Sequence, residues 1–113
     1  MKAPRDVSDY LRDMSNYADK ACRLTEGMDY QAFEADERTY LAVMRCLEII
    51  GEAAKKIPAG FRNRHPEIPW AEAAGIRDVL IHDYLGVNLE VVWKTIQKDL
   101  PPVRTALATL LGA

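Results

Sequence analysis

At 113 residues the chain has the length of one domain, read here as residues 1–113; 49% of it is hydrophobic, 28% is charged, and the formal net charge is −2. That balance excludes a chain that is basic throughout, so any nucleic acid must meet a local patch. No apolar run approaches the roughly 20 residues of a membrane span, no signal peptide is legible, and Cys22 and Cys46 fall inside predicted helices, so they read as free, buried thiols of a cytoplasmic protein rather than a disulfide framework.

The first helix begins between Pro4 and Asp6, with Asp6 or Ser8 as its N-cap. Val7, Tyr10, Leu11, Met14, Tyr17, Ala18, Ala21 and Leu24 recur at three- and four-residue steps, which makes one apolar face. Gly27 is its natural stop. Asp29 is placed to cap a short helical piece over Tyr30 to Glu34. A second long helix runs from about Asp36 to Lys56. It is apolar at several angles, through Val43, Leu47 and Ile50 but also Leu41, Cys46 and Ile49. Such a helix is buried on more than one side, by its own fold or by a second chain. Gly51 with Ala54 suggests a close helix approach there.

Ala59 to Glu67 reads as a loop, with Pro66 and Pro69 breaking regular structure. Trp70 to about Tyr84 reads as helical, with Gly75 as the place for a bend and Gly86 as its close. Asn88 caps a helix from Leu89 to Leu100 whose inner face holds Val91 or Val92, Ile96 and Leu100. Pro101-Pro102 interrupts it, and Val103 to Leu111 forms a last segment. No alternating strand pattern and no internal repeat occurs. The expected fold is all-α: an antiparallel up-down bundle of four longer helices plus short helical segments.

The stretch that needs a chemical reason is Arg77-Asp78-Val79-Leu80-Ile81-His82-Asp83-Tyr84, which puts an arginine, a histidine and a tyrosine in an apolar helical context. Its Arg-x4-His-x-Tyr spacing resembles the signature of HEPN domains, specifically the HepT-type toxins of toxin–antitoxin pairs. Leu47 to Lys55, Pro66 to Trp70, Gly86-Val87 and Val92-Trp93 look like the same family, so the resemblance runs from about Asp6 to about Arg104. It implies an all-α bundle, a homodimer with a composite site, and an endoribonuclease; with the RNA 2′-hydroxyl as internal nucleophile, neither a metal nor another cofactor is expected. It also implies a cognate minimal nucleotidyltransferase antitoxin that attaches AMP to Tyr84.

The residue types suit that chemistry. Histidine titrates near neutrality and can move a proton to and from RNA oxygens, while arginine offers phosphate a permanently charged fork of donors. On one straight helix Arg77 and His82 would stand about 140° apart, so a distorted helix, a leaning arginine or two copies facing across a dimer axis must bring them together. Asp78 precedes His82 by four residues and is placed to orient its imidazole. His65 and His82 lie far apart, and no Cys/His spacing fits a metal site. Lys55, Lys56, Arg62 and Arg64, with His65, form a basic cluster that reads either as solvated surface or as a contact for RNA or the antitoxin. Plainer readings stand beside these: His82 as a helix-end cap, Arg77 paired with Asp78 or Glu72, and Tyr84 as a core aromatic. The rival function is a non-catalytic HEPN module that partners a nucleotidyltransferase or binds a nucleotide.

Overall fold

The computed structural model describes residues 5–80 and 87–112. Within them the chain is helical and contains no strand. The first helix, α1 (Val7–Leu24), opens with a reciprocal cap that decides between the two candidates. Asp6 Oδ1 accepts from the Asp9 N–H at 3.1 Å, and Asp9 Oδ2 accepts from the Asp6 N–H at 3.1 Å. Ser8 lies inside the helix and donates its hydroxyl to Asp6 Oδ1 at 2.7 Å. That hydroxyl, with the Asp9 N–H, holds the Asp6 carboxyl below its usual value. Leu11, Met14, Ala18 and Ala21 are the buried stripe. Leu24, expected on the same face, is exposed because the helix ends there and Thr25 turns inward, donating its hydroxyl to the Ala21 carbonyl at 3.0 Å. Gly27 is therefore not the cap; it takes φ +79 in the turn beyond it, a conformation that costs a glycine little.

Asp29 caps α2 (Tyr30–Ala35) as expected, accepting from the Ala32 N–H at 2.8 Å. Asp36 ends α2 and also starts α3 (Glu37–Lys56). Its carboxylate accepts from the Thr39 N–H at 3.1 Å and from the Thr39 hydroxyl at 2.8 Å, and these contacts hold its pKa low. Along α3 the buried residues are Val43, Cys46, Leu47, Ile50, Gly51, Ala53 and Ala54, an arc wider than one stripe. The helix α1 covers one side of it; the segment after Trp70 covers another. Of the two cysteines, Cys46 is buried as expected and Cys22 is only half-buried; both are free. Burial raises both thiol pKa values.

The expected loop over 59–67 contains a helix, α4 (Ala59–Arg64). Pro58 starts it, since a helix needs no N–H from its first residues, and its carbonyl accepts from the Arg62 N–H at 3.1 Å. Six residues with no fully buried member leave no periodic signal to read. Phe61 stacks on His65 (4.4 Å between ring centres) and meets Trp70 edge-on (6.2 Å). The Trp70 indole donates to the His65 carbonyl at 2.9 Å, a packing role with its polar end satisfied.

From Trp70 the chain forms α5 (Trp70–Gly75) and then changes to a 3₁₀ turn (Ile76–Leu80), so the bend anticipated at Gly75 is a change of helix type. Asn88 caps α6 (Leu89–Lys94), with Oδ1 accepting from the Glu90 and Val91 N–H groups at 3.0 and 3.3 Å. Val92 is the inward residue and Val91 the exposed one. Pro101-Pro102 does not interrupt the run. The chain passes through one π turn (Thr95–Asp99) into α7 (Leu100–Leu111), which carries both prolines in its first turn. A proline has no N–H to donate and its ring crowds the carbonyl four residues back. Widening that turn, with the Leu100 N–H reaching the Thr95 carbonyl, accommodates both. Arg104 ties α7 to α1 through Asp19 at 2.5 Å. No helix among the described residues is long and apolar enough to cross a membrane.

Candidate functional site

Arg77 sits in the 3₁₀ turn, and the turn is fixed at its start by the buried Ile76. It packs on α3 at Gly51. A Cβ built on Gly51 would lie 2.5 Å from the Arg77 Cβ and 3.1 Å from both its Cγ and its backbone nitrogen. The root of the arginine side chain thus occupies the space a side chain at 51 would need. A glycine inside a helix costs about 1 kcal/mol relative to alanine, so its place in the middle of α3 asks for a packing reason, and this contact supplies one. The close approach expected around Gly51 is therefore real, and the element that approaches is the turn carrying Arg77.

Arg77 as a whole is half-buried. Among the described residues its guanidinium makes no ion pair, with Asp78 and Glu72 or with any other carboxylate. An arginine held at its root and unpaired at its tip is available to an anion from outside. Asp78 is exposed, and its Oδ2 folds back over Gly75, 3.9 Å from where a Cβ there would stand. His82 and Tyr84 lie outside the described residues, so the expected Arg77–His82 pairing and the orienting role of Asp78 are not tested by this geometry.

The basic cluster is divided by the turn of α3. Lys55 is one helical turn beyond Gly51, about 40° around the axis, and so shares the side on which Arg77 rests. Lys56, about 140° around, faces α1 instead. There it lines a cleft of about 360 Å³ with Arg5, Tyr10, Tyr17, Ile49 and Glu52. Arg62 and Arg64 stand on α4. The Arg62 Nε is buried without a hydrogen-bond partner, and the Arg64 guanidinium lies over the Phe61 ring at 5.8 Å. His65 is engaged locally, its Nδ1 3.0 Å from Glu67 Oε1. Among the described residues no group of three His, Cys, Asp or Glu side chains is arranged to hold a metal ion.

The family model "Ribonuclease HepT-like" matches residues 14–110, a span that includes Gly51, the 3₁₀ turn and the whole Arg-x4-His-x-Tyr stretch. The chain belongs to the HepT-like ribonuclease family. A probable ribonuclease HepT of Thermococcus cleftensis is 45% identical over 100 residues, covering 88% of this chain and 91% of the relative. A candidate RNase of Methanocaldococcus jannaschii is 44% identical over 100 residues, with 88% and 86% covered. One from Caldanaerobacter subterraneus subsp. tengcongensis is 39% identical over 111 residues, with 98% and 96% covered. No solved structure matches the chain. For a HepT-like chain the seat of Arg77 on Gly51 is only half legible in the sequence: the interior glycine is plain, but nothing in the spacing says which element it faces.

Proposed function

We propose that this chain is a metal-independent endoribonuclease and the toxin of a pair with a minimal nucleotidyltransferase antitoxin. It acts in the cytoplasm as a homodimer whose two copies line one cleft. The observation that carries the reading is Arg77, without an ion pair among the described residues and rooted on α3 within a chain of the HepT-like ribonuclease family. In the reaction His82 takes the proton of an RNA 2′-hydroxyl. The 2′-oxygen bonds to the adjacent phosphorus, the bond to the 5′-oxygen breaks, and that oxygen leaves with a proton returned by an imidazolium. Arg77 donates to the non-bridging phosphate oxygens as charge builds on them. Asp78 orients His82, Lys55 on the Arg77 side meets the flanking backbone, and Lys56, which faces α1, with Arg62 and Arg64 on α4 meets more distant RNA or the antitoxin. Purified protein with end-labelled RNA in EDTA is the test. Fragments ending in a 2′,3′-cyclic phosphate are expected; cleavage that stops in EDTA and returns with magnesium overturns the metal-independent mechanism.

Silencing follows from the same charges. AMP attached to the Tyr84 hydroxyl adds an anionic phosphate close in sequence to Arg77, where it competes with RNA for the guanidinium. Co-expression with the nucleotidyltransferase encoded beside it should raise the intact mass by one or more AMP units. Tyr84→Phe should remain toxic and gain no mass. An unmodified wild-type chain that is nonetheless neutralised would assign the antitoxin's effect to binding alone.

A further inference from the structure

We infer that Gly51 is a positioning residue for Arg77: its absent side chain is the seat that sets where the guanidinium stands. The inference rests on the reading of Arg77 as the phosphate-binding group. Backbone conformation does not explain this glycine, because the described glycines with positive φ are Gly27 and Gly112. Space explains it. A Cβ at 51 would overlap the Cβ of Arg77 and crowd its Cγ and backbone nitrogen, and none of these is the far end of a flexible side chain. The obstacle is the root of Arg77, so it cannot be swung aside by a rotamer change alone. The turn itself yields only at a cost to the core, since Ile76, the residue before Arg77, is buried there. Added bulk at 51 therefore lifts the turn off α3 and carries Arg77 with it. Gly75, next to the same turn, is unlike Gly51: a Cβ there meets nothing closer than Asp78 Oδ2 at 3.9 Å, an ordinary contact.

The test is single-turnover and steady-state cleavage of labelled RNA by the full chain carrying Gly51→Ala, Arg77→Ala or both, with Gly75→Ala as the control. A displacement on the order of 1 Å costs about 10²-fold in rate. That loss is expected in kcat for Gly51→Ala, with a smaller change in KM, and Gly75→Ala should keep its rate. Because Gly51 acts through Arg77, Gly51→Ala should subtract nothing further from Arg77→Ala. Full activity of Gly51→Ala beside an inactive Arg77→Ala overturns the positioning role, as does an equal further loss in the Arg77→Ala background. Full activity of Arg77→Ala fails the phosphate-binding reading itself, which separates the two failures. Thermal melting reads the contact without reference to catalysis. Gly51→Ala should lower the melting temperature more in the wild-type background than in Arg77→Gly, which lacks the two obstructing carbons; equal lowering in both overturns the seat.

Discussion

His82→Ala is expected to slow RNA cleavage by about 10²–10⁴-fold, the range that a positioned general acid–base contributes. The size of the effect follows from the lack of a substitute. The other histidine, His65, is held at the end of α4 by stacking on Phe61 at 4.4 Å and by Glu67 at 3.0 Å, away from the Arg77 turn in sequence and in its contacts. His65→Ala should therefore cleave RNA at the wild-type rate. Arg77→Lys should also lose most activity although it keeps the charge, because an ammonium cannot donate two parallel hydrogen bonds to one phosphate. Single-turnover assays on folded protein, judged by matching far-ultraviolet dichroism, check all three. A His82→Ala chain that cleaves at the full rate would remove the histidine from the mechanism.

The largest expected loss of stability is at Phe33. Its side chain is fully buried, 5.1 Å from the Trp93 ring centre and 6.3 Å from that of Tyr40. It is also the buried residue of α2, a helix of 6 residues that cannot persist on its own. Phe33→Ala removes the ring that joins α2 to α3 and α6, leaving a cavity that no neighbouring main chain can close without moving a helix. A loss of about 3–5 kcal/mol is expected, against a total near 5–15 kcal/mol for an ordinary domain. Urea denaturation followed by tryptophan fluorescence measures it, since Trp93 reports on the same cluster. A loss below about 1 kcal/mol would mean that α2 is held by something other than this ring.

Much of the helix layout is legible in residue order because its causes are local. The caps at Asp6, Asp29, Asp36 and Asn88 each act within three residues of the N–H groups they satisfy. The breadth of the apolar surface on α3 is written in its own 20 residues. Where the local rule and the fold part company, the cause is packing or a missing donor. Leu24 fits the stripe of α1 and is exposed, because the helix stops and Thr25 takes the inward place. Pro101 and Pro102 look like a break and are absorbed by a π turn, because the buried Ile96, Leu100 and Val103 hold the run against the core on either side. The helix expected from Trp70 does bend at Gly75, as a change to 3₁₀ at Ile76 that no other residue between 70 and 80 announces, and Ile81 to Tyr84 lie outside the described residues.

By itself the sequence determined the all-α class, the helix starts capped by Asp6, Asp29, Asp36 and Asn88, and the residue types offered for RNA chemistry, Arg77, His82 and Tyr84 among them, together with the family frame that surrounds them. Those are properties of short windows and of order along the chain. What only the tertiary structure decided is which surfaces meet: that Gly51 lies under Arg77, that Lys55 and Lys56 diverge, and that Arg62 buries an unpartnered nitrogen. The physical reason is distance in the chain. Gly51 and Arg77 are 26 residues apart, and the contact between them is selected by the burial of Ile50, Ala54 and Ile76 around it rather than by any preference of either residue.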